Sequence, residues 1–254
     1  MMTSKDELAV DGFAKGDSYN AARPRYPDEV IDHFVRAFDL DARSNVLDLG
    51  AGTGIFTRQL VSRVGRITAV DPSPSMRATF ALETPGVEIL EGSDEAIPLA
   101  DHSVDAVFAA QAFHWFTPEL ALREIHRVLM VGGGLGLVWN ERDTRESWIR
   151  DLNHAMLWDV HQPYDADVDF GAIVATGPFR DVVKSTFPYA STLTHDQVLQ
   201  RTLTTSYITL MDEDRRRELS ADVLRVLEPL PDPVEMPYVT HAFVAYARED
   251  DDKS

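Results

Sequence analysis

Val46-Leu47-Asp48-Leu49-Gly50-Ala51-Gly52-Thr53-Gly54 is the stretch whose reading decides the fold. An apolar run ends around an acid, three glycines follow at alternate positions, and a helical pattern begins with Phe56 and Leu60. That order predicts a buried strand, a tight turn and a helix N-terminus. Glycine lacks Cβ, takes positive φ at little cost and lets a ligand approach the main chain. The turn is therefore a candidate binding loop.

Working outward, the same rhythm repeats. Upstream, Tyr19 to Pro27 carries two tyrosines, two arginines and two prolines, which reads as an extended segment with aromatic anchors. A helix starting at Pro27-Asp28 shows an apolar stripe at Val30, Phe34 and Phe38. Downstream, Phe56, Leu60 and Val64 mark a helix and Ile67–Val70 a strand ended by Asp71-Pro72. Ser73 and Pro74 suit the cap and first turn of a helix with Met76 and Phe80 inward. Strands follow at 87–90 and 104–109. Thr117-Pro118 opens a helix that Gly132-Gly133-Gly134 is expected to stop, before a fifth strand at 135–139. Strand and helix in alternation, with continuous apolar strands, predict a doubly wound parallel sheet covered on both faces. Ligands of such sheets bind at the carboxyl ends of the strands.

After Glu141 the rhythm changes. Helices are expected around Trp148–Met156, Val198–Leu203 and Leu219–Leu227, with strands at 182–187 and 239–247. The expected organisation is a single domain over 1–254, a cofactor-binding core at 19–140 and a substrate cap at 145–205.

Composition narrows the function. Forty-four per cent of the residues are hydrophobic and the net charge is −18. A nucleic-acid binder carries a basic footprint; here Arg215-Arg216-Arg217 lies among Asp212, Glu213, Asp214 and Glu218 and reads as a solvated helix face. No apolar run is long enough to span a bilayer. Residues 1–12 lack a signal peptide's apolar core, and with no cysteine in the chain the expected location is the cytoplasm. His154, His161 and His195 have no paired spacing, Asp165, Asp167 and Asp169 lack the rest of a calcium loop, and no metal is expected. Ser93, Ser103 and Ser147 lack a nucleophile-elbow setting.

The loop itself excludes two nucleotide readings. A dinucleotide turn wants a glycine where Ile55 stands, and a phosphate-binding P-loop wants Gly-Lys-Ser/Thr. Asp71 closes the second strand roughly twenty residues past the loop, where a carboxylate can accept both ribose hydroxyls of an adenosine. Glu91-Gly92-Ser93-Asp94-Glu95 follows the third strand, and Ala109-Ala110-Gln111-Ala112-Phe113-His114-Trp115-Phe116 the fourth.

D-x-G-x-G-x-G with these segments resembles motif I and its companions in the class I S-adenosylmethionine-dependent methyltransferases. Ala110-Gln111-Ala112-Phe113-His114-Trp115, with Arg23–Pro27 upstream and 120–140 downstream, is similar to the methyltransferase type 11 group and its trans-aconitate methyltransferase-like members. The resemblance covers about 19–140 and departs from the group at Ser93-Asp94, where Asp-Ala is usual. It implies a seven-stranded sheet with the last strand antiparallel. It implies S-adenosylmethionine as cofactor, with Asp48, Gly50, Ala51 and Gly52 around its amino-acid end and Asp71 with Pro72 at the ribose. Met76, Asp94 and Glu95 would lie near adenine, Gln111 under the sulfonium, and Tyr19 and Arg25 would close over the ligand.

The implied reaction is in-line methyl transfer to a small molecule, the acceptor being a carboxylate, a hydroxyl or a natural-product intermediate. The other reading is a non-catalytic S-adenosylmethionine-binding module or regulatory partner. His114 is the catalytic candidate: it takes a proton from a substrate hydroxyl, binds a substrate carboxylate or packs the wall. Trp115, Trp148, Arg201 and Tyr207 are candidates for substrate contact, Arg201 suiting an anionic group.

Overall fold

Asn45–Leu49 (β1) is the centre of the fold in the computed structural model, which describes residues 23–161 and 168–249. Four of its five residues are buried. β1 pairs in parallel with Arg66–Asp71 (β2), Val46 opposite Ile67 and Leu49 opposite Val70. On its other side it pairs in parallel with Val104–Ala110 (β4), Val46 opposite Ala106. Glu88–Glu91 (β3) extends the sheet beyond β2, and Leu129–Arg142 (β5) beyond β4, again in parallel. Phe179–Leu193 (β6) and Val234–Ala247 (β7) complete seven strands in the order β3-β2-β1-β4-β5-β7-β6, with β7 antiparallel. This is the doubly wound, mostly parallel sheet expected from the alternation, and the antiparallel last strand that the resemblance implied.

The helices bury the stripes read from the sequence. Asp28–Ala37 (α1) buries Val30, Ile31 and Phe34, with acids in its first turn and Arg36 in its last, both favourable to the helix dipole. Phe34 and Phe56 each stand 5.3 Å from Phe108 of β4, and Tyr26 meets Phe56 edge-on at 5.4 Å. Ile55–Leu60 (α2) packs on β2, Pro74–Glu83 (α3) packs on β2 and β3, and Pro118–Val128 (α4) lies between β4 and β5 in the chain. Ser73 caps α3 by accepting from Met76 N–H.

Three expectations need correction. The glycine run does not stop a helix: α4 ends at Val128 and β5 runs through Gly132–Gly134 as far as Arg142. The reason is packing. A Cβ on Gly134 would sit 2.1 Å from the Phe38 ring, and one on Gly136 2.7 Å from Phe108. The glycines let aromatic side chains lie against the strand backbone. The sixth strand, expected at 182–187, runs to Leu193 through Pro188, which an edge strand tolerates because its outward N–H has no ladder partner. The seventh, expected at 239–247, begins at Val234.

The described residues divide into two compact units. One is 25–139, 168–187 and 240–249, the other 23–24, 140–161 and 188–239. The first holds the aromatic core just described and Phe170–Ala175 (α5). The second is built on helices Ser147–Ala155 (α6), Trp158–His161 (α7), His195–Leu203 (α8), Ser206–Thr209 (α9) and Glu213–Leu227 (α10). Its core joins Ile149, Leu152, Val198, Leu219 and Val223 with Met236 and Tyr238.

Candidate cofactor and acceptor site

The three alternate glycines all take left-handed backbone: Gly50 at φ 70°, Gly52 at 56° and Gly54 at 81°. Two of them are also required by their surroundings. A Cβ on Gly50 would lie 2.7 Å from Ala112 Cβ, and one on Gly54 2.5 Å from Thr84 Oγ1. Among the described residues, a Cβ on Gly52 would meet nothing within 4 Å. Gly52 therefore faces open space, as a loop must where a ligand lies against its backbone. The loop is bound to β2: Gly50 N–H and Ala51 N–H donate to Val70 O at 2.8 and 3.1 Å.

Asp71 closes the same construction. One carboxylate oxygen accepts from Gly52 N–H and the other from Ser73 N–H, both at 2.8 Å. Burial pushes its carboxyl above the usual range, while these two donors and the Arg77 charge act the other way. Arg77 fastens the strand end, donating to Asp71 O and Pro72 O and pairing with Glu91 at 2.7 Å.

Asp48 lies beneath the loop with no exposed surface. Thr57 Oγ1 donates to its Oδ2 at 2.5 Å, and its Oδ1 is buried with no partner among the described residues. Burial pushes its carboxyl up to about 7, with the Thr57 hydroxyl opposing and the Asp71 charge adding. On the far side of the loop Arg58 donates to Thr53 O at 2.7 Å and to Thr84 Oγ1 at 3.0 Å. The charge of Arg25 acts on Arg58.

Met76 is buried in α3. Asp94 Oδ2 accepts from Thr117 N–H at 2.8 Å, and Glu95 Oε1 from Thr117 Oγ1 at 2.7 Å. Both acids hold the start of α4. Asp94 is half-buried, and desolvation raises its carboxyl. Gln111 is a non-glycine residue at φ 53°, and its N–H donates to Val138 O at 2.8 Å. Such a conformation for a residue with Cβ marks a position the surroundings over-determine.

Beyond Gln111 a 3₁₀ turn, Phe113–Trp115, carries His114. Its neighbours Ala112 and Phe116 are the side chains nearest Gly50, which packs the turn onto the glycine loop. Trp139 Nε1–H donates to His114 Nδ1 at 3.2 Å. Trp139 is 1% exposed, stacks on Phe170 at 4.1 Å and meets Phe243 edge-on at 5.8 Å. Removing its acceptor would leave a buried indole N–H unsatisfied, at about 1–3 kcal/mol. Trp115 lies 5.0 Å from the His114 ring.

The structure thus brings Arg25, Asp48, Gly50, Ala51, Gly52, Asp71, Pro72, Met76, Asp94, Glu95, Gln111, His114 and Trp115 into one unit. Trp148, Arg201 and Tyr207 belong to the other. There Arg201 donates to Tyr238 Oη at 2.7 Å, Tyr207 Oη to Met156 O at 2.7 Å, and Trp148 packs on the helical core. Tyr19, Asp165 and Asp167 lie outside the described residues. Among the described residues no group of His, Asp and Glu could hold a metal, and no helix is long and apolar enough to cross a membrane. Thr57, Arg58, Arg77 and Trp139 were missed from the sequence. None sits in a recognisable spacing; each is defined by a partner distant in the chain.

Three comparisons bear on this site. The family model described as a methyltransferase domain, type 11, matches residues 47–137. A methyltransferase of Mycobacterium tuberculosis is 35% identical over 245 residues, covering 94% of this chain and 97% of its own. A methyltransferase-like protein of Schizosaccharomyces pombe is 34% identical, covering 89% and 91%. Among solved structures, a putative type II methyltransferase from Anaeromyxobacter dehalogenans superposes with a TM-score of 0.68 at 25% identity, covering 89% of this chain and 97% of that one.

Proposed function

The chain belongs to the S-adenosylmethionine-dependent methyltransferases with a type 11 domain, and from that premise we propose that it methylates a small molecule, as a trans-aconitate methyltransferase-like enzyme. S-adenosylmethionine, when bound, supplies a methyl group activated by a sulfonium sulfur. The observation that carries the assignment is the tie between Gly52 N–H and Asp71 beside the open space over Gly52. It holds a carboxylate and a bare backbone together.

In this reading Asp71, with Pro72 behind it, accepts from the ribose hydroxyls. Met76, Asp94 and Glu95 border the adenine. Asp48, beneath Gly50, Ala51 and Gly52, offers its unpartnered Oδ1 toward the amino-acid end. Gln111 lies under the sulfonium, Tyr19 and Arg25 close over the ligand, and His114 with Trp115 meets the acceptor. Holding the two reactants in line contributes roughly 7–11 kcal/mol, so this chemistry is chiefly placement.

The net charge of −18 favours a small acceptor over a nucleic acid. We assign the choice of acceptor to residues 145–205, with Trp148, Arg201 and Tyr207. The family model matches 47–137 and does not extend over these residues.

Calorimetry with S-adenosylmethionine tests the reading. Binding is expected for the native chain, and Asp71→Ala, losing charge-assisted hydrogen bonds of about 1.5–3 kcal/mol each, is expected to weaken it at least tenfold. Unchanged affinity in the variant removes the ribose role of Asp71.

A further inference from the structure

The contact between Trp139 and His114 decides where the imidazole proton sits. An indole N–H only donates, so His114 Nδ1 at 3.2 Å is the acceptor and carries no proton. In a neutral ring the proton is then on Nε2, because the bond at one nitrogen sets the state of the other. The indole has no room to turn away. It is 1% exposed, stacked on Phe170 and closed on its edge by Phe243. The histidine is held separately. Trp115 N–H donates to Ala112 O and Phe116 N–H to Phe113 O within its turn, and Ala112 and Phe116 press on Gly50. Donor and acceptor come from β5 and from the turn after β4, so the pairing is built by the fold and not by neighbours in the chain.

We propose that Trp139 is a positioning residue that makes His114 a hydrogen-bond donor to the methyl acceptor through Nε2–H, so that His114 does not act as a base. This rests on the methyltransferase reading of the same site. A neutral imidazole in this tautomer has one lone pair in the ring plane, and Trp139 uses it. No lone pair is left to remove a substrate proton. An acceptor that brings an anionic oxygen of its own, a carboxylate, needs no base, and we take it as the class this site serves. A lone pair on that oxygen forms the O–C bond to the transferred methyl as the C–S bond breaks. The electron pair of that bond stays on sulfur as a neutral thioether, and no proton has to leave the acceptor. Nε2–H serves the same acceptor by hydrogen-bonding an oxygen and fixing its approach. In this state His114 takes no proton from a neutral alcohol, so alcohols are expected to be poor acceptors.

Long-range ¹H–¹⁵N correlation spectra of imidazole-labelled protein, with S-adenosylhomocysteine added, test the tautomer. His114 is expected to show Nε2–H and an unprotonated Nδ1, and Trp139→Phe to release it into a tautomer mixture while cofactor binding persists. An Nδ1–H signal in the native protein overturns the proposal, and this spectrum needs no variant to fold. An unchanged His114 pattern in a folded Trp139→Phe protein also overturns it. A native chain that binds no cofactor in the calorimeter overturns the methyltransferase reading and the donor role together; the wrong tautomer in a cofactor-bound protein overturns the donor role alone. Methyl-labelled S-adenosylmethionine offered with pooled carboxylic acids and pooled neutral alcohols tests the acceptor. Label is expected in methyl esters at least a hundredfold over ethers, and label in ethers at a comparable rate overturns the assignment.

Discussion

Asp48 shows how much of a residue's chemistry its surroundings write. As a sequence position it is an acid two places before a glycine. In the fold it has no exposed surface, one hydroxyl donor and a carboxyl pushed up to about 7. The ordinary value is 3.8, and the folded value is raised, so the folded state holds this proton where the unfolded chain releases it. Its contribution to stability is therefore full below about pH 4 and lost as pH rises through 7. The change is on the order of 4 kcal/mol. Asp48→Asn is expected to flatten the fall in Tm of the ligand-free protein between pH 5 and pH 8; a parallel fall in both proteins removes this account. The glycines divide in the same way. Gly52→Ala is expected to cost about 1–2 kcal/mol of stability, for its positive φ alone, and to weaken S-adenosylmethionine binding further by filling the open space. Gly50→Ala adds a clash with Ala112 and is expected to lower Tm more than Gly52→Ala does. Thermal unfolding and calorimetry on the pair separate strain from occupancy.

At the scale of elements, what was legible was what chain periodicity encodes. The stripe Val30, Phe34 and Phe38 named α1, and Ser73-Pro74 named the start of α3, because caps and faces are local properties. β5 departs from its local composition for a tertiary reason. Gly132-Gly133-Gly134 has the composition of a stop, and only the approach of Phe38 to Gly134 explains glycine inside a strand. Gly134→Ala is expected to destabilise the protein by about 1–3 kcal/mol through overpacking against Phe38, measured as a shift in the urea midpoint. A midpoint unchanged within error refutes that packing role. β6 runs beyond 182–187, through Pro188 to Leu193, at the edge of the sheet, and an edge position is not visible in sequence.

For the whole molecule, charge and topology point the same way. A net charge of −18 repels phosphate backbones. Labelled duplex DNA is expected to show no retardation by this protein at about 50 mM salt, a condition that favours non-specific binding. A retarded band there contradicts the small-molecule acceptor. The cofactor side of the candidate site draws on the ends of β1, β2 and β4, the strands that carry the Asp48, Asp71 and Gln111 segments. That clustering was readable in advance, since alternating strands and helices force parallel strands and set their carboxyl ends together.

The sequence by itself determined the doubly wound sheet, the glycine loop and its partner acids, because each is written in spacing along the chain. Tertiary structure alone decided that Asp71 holds Gly52, that Asp48 keeps one oxygen buried with no partner among the described residues, and that Trp139 donates to His114. These depend on which atoms of distant residues come within about 3 Å of one another, and hydrogen bonds act only over that range. Spacing along a chain places segments; the protons follow from contacts that spacing does not contain.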